Sequence, residues 1–478
     1  MSGVPFAAAI LAAGFSTRME SLTLGKSKAL LPLNGVSLLE RARDICARTA
    51  RAALVVTGHD ATDVEAEAGR LGLAVCRNRD FERGMYSSIR AGAAALFADK
   101  REPPEALFLL PVDAALVAPQ SAAALAAAWE RLDPAERSGA AIIPAYGGRL
   151  GHPPLLGAAL ASSLPEKAPD GGLRALLSRR LSPAAAATFL AGDAPEGDTL
   201  RPPPGESYSF ALIRLPSSGG GPTYVLPLPD AGLLSDLDTP DDMPAAGAFL
   251  QATGERRAML PEEAAQWLRH ADLNHEKKRH SVAVGLGALR LCLAVGRAGK
   301  IADPALALCG GLLHDVARRE KRHARAAWQR LEAWGKKDLA LVVGAHTALP
   351  DPLLASMGIP LRDQPETLEN REIEADRYAG HSRELLHACA AVYLADKFFY
   401  HDTQVPLAAR FEGVKGRFPD DAYAHAVIDR REAIAGEVRN WFAEAGGADP
   451  EVLVASPSGE PPHALEGMCR AMFREFSP

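Results

Sequence analysis

The sequence of 478 residues predicts an α/β domain followed by an all-α domain. A chain of this length exceeds what one hydrophobic core usually organises, so two or three domains are expected. In roughly the first 245 residues, short apolar runs alternate with helical patterns, which is typical of a mainly parallel sheet. From about residue 259 onward, apolar residues recur with helical spacing instead, and this indicates a helical domain.

The α/β half contains five candidate strands with helices between them. The strands are FAAAILAAG, AALVVTG, LAVCRN, ALFLLPVD and GAAIIPAY, and two of the helices cover residues 37–50 and 88–98. We place this domain at residues 1–250, a linker at 251–271 and the helical domain with its tail at 272–478. Within the helical domain, the acidic segment 361–380 is a candidate lid.

Composition excludes several function classes. The net charge of −6 argues against a surface that binds nucleic acid. The six cysteines show no CxxC pair and no zinc-finger spacing, so we expect reduced, mostly buried thiols. No apolar run reaches the roughly 18 residues of a membrane span, and the short N-terminal apolar run leads into a glycine turn rather than a cleavage site. A cytoplasmic protein with no membrane partner is therefore predicted.

The stretch AAAILAAGFSTRM, residues 7–19, predicts an anion-binding turn, here called the phosphate turn. A strand leads into backbone N–H groups from Gly14 to Thr17, and Arg18 adds a fork of donors that suits phosphate. The alternative is a tight turn that binds nothing. The later GKSK is not a Walker A loop, because Glu20 stands where that motif needs glycine.

Further motifs follow this turn in a fixed order: KALLPL, VVTG, NRDFERGMYSSIRAG, LLPVDAALV, PAYGGRLGHPPLL, DGGLRALL and SDLDTPDDM. Over about residues 6–248 the series resembles the nucleotidyltransferase family that includes the molybdenum cofactor cytidylyltransferases. The resemblance implies a Rossmann-like α/β fold. It also implies a reaction in which a substrate phosphate attacks the α-phosphorus of a nucleoside triphosphate and pyrophosphate leaves.

The resemblance implies roles for four charged residues. Arg18 and Lys28 match the residues that bind the triphosphate in this family. Catalysis of such a reaction depends mainly on cations placed around the phosphates. Asp113 matches the carboxylate that binds Mg²⁺ at the carboxyl end of a strand, where open α/β sheets bind ligands. Asp238 matches a second metal carboxylate. Oxygen ligands of this kind are what Mg²⁺ prefers.

The sequence departs from the family pattern between Arg18 and Lys28. Glu20 replaces a glycine, and Lys28 lies ten residues beyond Arg18, about twice the family's spacing. Lys26 is therefore an alternative for the role of Lys28.

The resemblance also implies substrate-binding residues in three motifs. They are Ala12, Ala13, Gly14 and Ser16 in the phosphate turn; Gly84, Ser87 and Ser88 at a helix start; and Gly151, His152 and Pro153 near the acceptor. The plain alternative for the serines is helix capping, and that for the histidine is packing. Ala13, in LAAG rather than LAGG, favours CTP over GTP as the nucleotide.

The helical half carries histidines and aspartates on successive predicted helices, in the segments RHSVAVG, GLLHDVA, HARAAWQ, VVGAHT and LADKF. Such a set indicates a metal centre in a helical bundle, and it suits Mn²⁺, Fe²⁺, Zn²⁺, Mg²⁺ or Ni²⁺. Over roughly residues 272–412 the ordered set resembles the HD-domain metal phosphohydrolases.

This second resemblance implies the following roles. The core metal ligands are His280, His314, Asp315 and Asp396. His323 and His346 bind a second metal or the substrate phosphate, Lys397 neutralises phosphate charge, and Asp315 orients a metal-activated water.

Three hypotheses follow. The first is a bifunctional enzyme that transfers CMP from CTP to molybdopterin and hydrolyses a phosphate ester at its second site. The second keeps the nucleotidyltransferase but gives it a sugar phosphate or another alcohol phosphate as acceptor. In the third, the HD domain is a nucleotide sensor that regulates the transferase or recruits a molybdoenzyme or its maturation factor.

Overall fold

The computed structural model describes residues 5–99, 101–202, 210–255, 257–359, 375–455 and 463–477. The chain forms two compact units, Met1–Arg256 and Arg257–Pro478. Most of the candidate lid, residues 361–374, lies outside the described residues. No helix among the described residues is long and apolar enough to span a membrane.

The first unit is built on a ten-stranded sheet. Its strand order is β10-β11-β12-β7-β9-β6-β1-β4-β5, β8 pairs with β7, and β2 and β3 form a separate hairpin. The strands are β1 Phe6–Ala12, β2 Pro32–Leu33, β3 Val36–Ser37, β4 Ala52–Thr57, β5 Ala74–Arg77, β6 Ala106–Pro111, β7 Ala141–Tyr146, β8 Arg149–Leu150, β9 Leu155–Gly157, β10 Asp198–Leu200, β11 Leu212–Arg214 and β12 Thr223–Pro227.

Within the described part of this unit, ten α-helices accompany these strands. They are α1 Glu20–Thr23, α2 Leu38–Cys46, α3 Ala61–Arg70, α4 Met85–Leu96, α5 Pro119–Glu130, α6 Pro134–Arg137, α7 Ala158–Ser162, α8 Gly172–Ser178, α9 Pro183–Leu190 and α10 Asp242–Ala252. The helices expected at 37–50 and 88–98 are thus α2 and α4. Helix α2 begins after Ser37, whose hydroxyl accepts the Glu40 N–H at 3.1 Å and caps the helix.

Strand β1 lies inside the sheet, parallel to β4 on one side and to β6 on the other. All seven of its residues are buried, as expected of a parallel strand covered on both faces. Small side chains let α4 approach closely. A Cβ at Gly92 of α4 would lie 3.0 Å from the Cβ of Ala9 and 2.9 Å from Val56 Cγ2. The glycine therefore fixes how near α4 can lie to the sheet.

The sheet is mixed: the expected strands β1, β4, β5, β6 and β7 all run in one direction, as a mainly parallel sheet requires, and antiparallel strands lie among and beside them. Strand β9 lies between β6 and β7 and is antiparallel to both. Only residues 147–154 separate β7 from β9, and half of them form β8 and a turn. That connection is too short for the helical crossover that a parallel neighbour requires, so the chain returns antiparallel.

The second unit is helical. Its helices are α11 Pro261–His270, α12 His275–Arg297, α13 Pro304–Leu313, α14 His323–Ala333, α15 Lys337–Gly344, α16 Asp351–Ser356, α17 Arg383–Lys397, α18 Leu407–Lys415, α19 Ala422–Gly446, α20 Pro450–Ala455 and α21 Ala464–Glu475. A two-stranded ribbon, β13 Phe399–Tyr400 and β14 Thr403–Gln404, follows α17. The central α12 packs against both α13 and α17.

Two features complete this unit. The segment 251–271, expected as a linker, contains α11, on which Ala264, Trp267 and Leu268 are buried. At the other end of the chain, α21 is tied to α12 by a buried ion pair, in which Arg290 Nη2 lies 3.2 Å from Glu466 Oε2.

Candidate functional site

Three loops of the first unit meet at one edge of the sheet. Parallel strands β1 and β6 end side by side, with Leu11 opposite Pro111. The phosphate turn follows β1, and Asp113 follows β6. The segment after β12 reaches the same place because the Leu237 N–H donates to the Asp113 carbonyl at 3.3 Å. The edge is therefore the one where ligands bind in open α/β sheets.

Three carboxylates converge there. One oxygen from each of Asp113, Asp236 and Asp238 lies within 4.8 Å of the others. Lys28 Nζ forms ion pairs with Asp113 and Asp238, and Arg18 pairs with Asp238. Asp236, which the sequence reasoning missed, stands two residues before Asp238 in SDLDTPDD. That spacing was the signal that could have revealed it.

Burial and neighbouring charges shift the pKa of two groups in this cluster, Lys28 and Asp236. Burial alone would lower the pKa of Lys28, but the Asp113 and Asp238 carboxylates outweigh it and raise the pKa above its ordinary value. For Asp236, burial and then the two neighbouring carboxylates raise the pKa. The cluster thus concentrates negative charge that a divalent cation would relieve.

The structure distinguishes Lys28 from Lys26. The backbone N–H of Lys28 donates to the Ser16 hydroxyl at 2.9 Å, so this lysine is tied to the phosphate turn. Lys26 instead pairs with Asp63 at 2.8 Å, and its side chain is 64% exposed. Glu20 is exposed, in the short helix that the longer loop forms. The geometry therefore favours Lys28.

A cavity of about 780 Å³, here called the nucleotide cavity, opens above the cluster. The expected site residues that line it are Ala12, Ala13, Gly14, Ser16, Arg18, Lys28, Gly84, Ser88, Asp113, His152 and Asp238. Residues that the sequence reasoning missed also line it, among them Phe15, Arg149, Arg174 and Asp236. A volume of this size falls in the range of small-molecule sites.

Three expected residues do not line the nucleotide cavity. The Ser87 hydroxyl donates to the carbonyls of Gly84 and Asp80, at 2.8 and 2.9 Å, and so serves the local turn. Gly151 packs against Leu233, where a Cβ would lie 2.5 Å from the carbonyl oxygen. Pro153 is buried beside it. The structure thus places Ser87 and Pro153 in the framework around the nucleotide cavity, while Gly151 lines an adjoining cavity.

His152 does reach the cavity. Its Nδ1 atom is buried and has no hydrogen-bond partner within the described ranges. Burial lowers the pKa of this imidazole, which favours its neutral form at pH 7.

In the second unit, the structure brings together all the expected histidines and aspartates. They form two groups whose ligand atoms lie within 4.8 Å of one another: His280, His314 and Asp396, and Asp315, His323 and His346. The groups are adjacent, since His314 Nε2 lies 3.6 Å from Asp396 Oδ1 and 3.8 Å from Asp315 Oδ2.

Backbone carbonyls orient three of these rings. In His280, Nδ1 faces the backbone carbonyl of His401. In His314, Nδ1 lies 2.7 Å from the carbonyl oxygen of Gly311. In His346, it lies 2.6 Å from the carbonyl oxygen of Val343. Nδ1 as the donor leaves the Nε2 lone pair free, which is how proteins commonly prepare histidine for a metal. The buried Nε2 of His314 has no hydrogen-bond partner among the described residues, which makes it a candidate ligand atom.

Burial and then the neighbouring imidazoles lower the pKa of His346 to about 3, and burial lowers that of His314. Both rings are therefore neutral at pH 7, the form that metal ligation requires.

Lys397 lies closer to the metal ligands than its expected role suggests. Its ammonium donates to Asp396 Oδ2 at 2.6 Å and to the carbonyl of His346 at 3.1 Å. It therefore orients a candidate ligand. Arg318, which the sequence reasoning passed over, lies 2.9 Å from His323 Nε2 and 3.6 Å from Asp315 Oδ1.

Comparison with known structures finds distant likeness. A nucleotidyl transferase from Methanothermobacter has a TM-score of 0.36 and 19% identity, over 52% of this chain and 98% of its own. A 4-diphosphocytidyl-2C-methyl-D-erythritol synthase has 0.30 and 17%, over 51% and 97%. A Mycobacterium tuberculosis protein in complex with manganese has 0.25 and 21%, over 33% and 76%. At such values we draw nothing further from them.

No curated protein matches the chain significantly. The family model of the MobA-like NTP transferase domain, in contrast, matches residues 8–187. This stretch contains the phosphate turn, Lys28, Asp113 and His152. The HD resemblance of the helical unit stays a prediction. At residues 8–187, the chain thus carries a stretch that matches the MobA-like NTP transferase domain.

Proposed function

We propose that the first unit transfers a nucleotidyl group from a nucleoside triphosphate to a phosphate monoester. The observation that carries this proposal is the cluster of Asp113, Asp236 and Asp238 beside Lys28, at the mouth of the phosphate turn. Carboxylates at this density suit Mg²⁺, which takes one or two of them together with substrate phosphates. When bound, Mg²⁺ neutralises triphosphate charge and polarises the phosphorus–oxygen bonds.

The chain's own residues supply the remaining requirements. Backbone N–H groups of the turn, with Arg18 and Lys28, hold the triphosphate and offset the charge that spreads over its oxygens during transfer. A phosphate oxygen of the acceptor forms a bond to the α-phosphorus. The bond from the α-phosphorus to the oxygen that bridges it to the β-phosphorus breaks, and pyrophosphate leaves with the electron pair.

For the substrates, we propose CTP as donor and molybdopterin as acceptor. The motif RLGHPPLL and Ala13 support this choice through the resemblance described above. Sugar phosphates and other alcohol phosphates are the alternative, and the GHPPLL motif argues against sugars.

The test is pyrophosphate release by the purified protein with Mg²⁺, molybdenum-loaded molybdopterin and either CTP or GTP. Release with CTP but not GTP, lost in Asp113→Asn, is expected. The matched control is Asp63→Asn, because this carboxylate is partly exposed and lies outside the nucleotide cavity. Absence of pyrophosphate release with either nucleotide, in folded protein supplied with Mg²⁺, would contradict molybdopterin as the acceptor.

For the second unit, we propose metal-dependent hydrolysis of a phosphate ester. Support comes from the two adjacent ligand groups and from the carbonyls that orient their imidazoles. Neutral imidazoles with carboxylates suit several divalent metals. A bound metal ion would lower the pKa of a water ligand, and Asp315, which faces both groups, would orient that water. Arg318 is placed to meet a phosphate oxygen.

The test is phosphate release from a panel of nucleotides with each candidate metal. We expect hydrolysis to disappear in a His314→Ala, Asp315→Ala double variant and to persist in His425→Ala, a change far from the cluster in sequence. The sensor hypothesis predicts something different. Under it, no nucleotide is hydrolysed, yet transferase rates change in the double variant.

A further inference from the structure

A second cavity of about 340 Å³ adjoins the nucleotide cavity. We call it the side cavity. Its walls are mostly apolar and include Ile89, Leu109, Ile143, Leu173 and Phe189. Leu11, Met85, Pro111, Leu150, His152 and Arg174 line both cavities. A ligand can therefore extend from one into the other past these shared residues.

The polar groups of the side cavity are concentrated at this boundary. Arg174 is exposed and has no carboxylate partner in the part of the chain that the structure describes. His152 stands beside it with its buried, unpartnered Nδ1. Deeper in, the Tyr86 hydroxyl already donates to the Pro165 carbonyl at 3.1 Å. An anionic group would thus be held at the boundary, and the interior favours an apolar body.

The chemistry of the proposed transfer also indicates where the body of the acceptor lies. The acceptor phosphate must lie within bonding reach of the α-phosphorus, which the Asp113 and Lys28 cluster fixes in the nucleotide cavity. The rest of the acceptor must then point away from the triphosphate. Among the described residues, the concave space next to His152 and Arg174 on that side is the side cavity.

We propose that the side cavity is the acceptor subsite and that it takes a phosphate monoester with a largely apolar body, held by Arg174 through its phosphate. This inference rests on the proposed nucleotidyl transfer but not on molybdopterin as its acceptor, because a pterin carries more polar groups than these apolar walls would satisfy. An apolar cavity of about 150 Å³ is enough for benzene, so the side cavity holds roughly a two-ring body or a chain of about ten carbons. Small polyol phosphates would leave its apolar walls uncovered and are poor ligands.

Binding of three probes by isothermal titration calorimetry tests the proposal: 1-naphthyl phosphate, geranyl phosphate and glycerol 3-phosphate. At least one of the two apolar probes is expected to bind about tenfold or more tighter than glycerol 3-phosphate, because burying its body removes apolar surface from water. The better of the two identifies the body as a flat ring system or a chain. Equal affinity for all three would overturn the proposal.

Two variants distinguish binding of the apolar body from binding of the phosphate group. Leu173→Trp, which fills the side cavity, should weaken only the apolar probes, and Leu190→Trp is its control because Leu190 is 49% exposed and outside both cavities. Arg174→Gln should weaken all three probes about tenfold, whereas Arg179→Gln, an exposed arginine at the end of the same helix, should not. Unchanged naphthyl and geranyl phosphate affinities in Leu173→Trp would contradict the subsite.

Affinity for Mg²⁺–CTP, measured on the same proteins, distinguishes the two failures. Normal nucleotide binding without preference for apolar probes refutes the subsite alone. Absence of nucleotide binding refutes the proposed transfer, and the acceptor subsite with it.

Discussion

Replacing Gly151 with alanine would test whether this residue shapes the site through its packing against Leu233. The added Cβ would lie 2.5 Å from the Leu233 carbonyl oxygen and 2.8 Å from the Leu233 Cβ. Real Cβ atoms essentially never approach within 3.0 Å. Because the obstacle is mainly backbone, Leu233 and the glycine must separate. The same carbonyl accepts the His152 N–H at 3.0 Å, so that bond is disturbed as well.

The expected cost follows from overpacking, which typically destabilises by about 1–3 kcal/mol. For a unit of this size, each kcal/mol lowers the Tm by about 2–4 °C. Scanning calorimetry measures this change. Because Leu233 shortly precedes Asp236 and Asp238, we also expect weaker Mg²⁺–CTP binding in titration calorimetry.

Gly69→Ala is the matched control. It lies in α3 with open space around its Cβ position, so the change should be neutral or slightly stabilising. Gly151→Ala with an unchanged Tm and unchanged nucleotide affinity would refute the packing explanation.

Other predictions concern charged groups. Lys28→Met should reduce pyrophosphate release at least about 100-fold, since it removes a cation from the transition state, whereas Lys26→Met should leave it within about twofold; equal losses in the two would contradict the choice of Lys28. Glu466→Gln should destabilise the second unit by about 3–5 kcal/mol in urea unfolding, because it leaves buried Arg290 uncompensated; a change below about 1 kcal/mol would show that the pair is not needed. His314→Ala should reduce the bound metal measured by mass spectrometry after dialysis, and an unchanged content would count against the ligand assignment.

Much of the fold could be predicted because its signals are local. The buried strand Phe6–Ala12 reads as a continuous apolar run, and the helices show helical spacing. Strand β9 was missed since its antiparallel placement depends on the length of the connection from β7, which no apolar pattern records. Ser87 and Gly151 sit in motifs that carry the resemblance, but the Ser87 hydroxyl bonds within its local turn, and the packing of Gly151 against Leu233 depends on another loop.

The candidate site was predictable to the extent that its residues follow strands. Asp113 and the phosphate turn end neighbouring parallel strands, so their meeting follows from topology. Asp236 and Arg174 could not be placed in the same way. Asp236 reaches the cluster through the bond between Leu237 and Asp113, and Arg174 lines its cavities from the start of α8. For Asp236 the only sequence signal is its spacing from Asp238, and the position of Arg174 has no sequence signature of its own.

The most direct test of the central claim is a crystal structure with Mn²⁺ and a CTP analogue whose α–β bridge is a methylene group. Anomalous scattering should place manganese against Asp113 and at least one of Asp236 and Asp238, with the triphosphate along the turn beside Arg18 and Lys28. A triphosphate bound elsewhere, or a nucleotide cavity without manganese in crystals that contain the analogue, would contradict the claim that this cluster is the centre of nucleotidyl transfer.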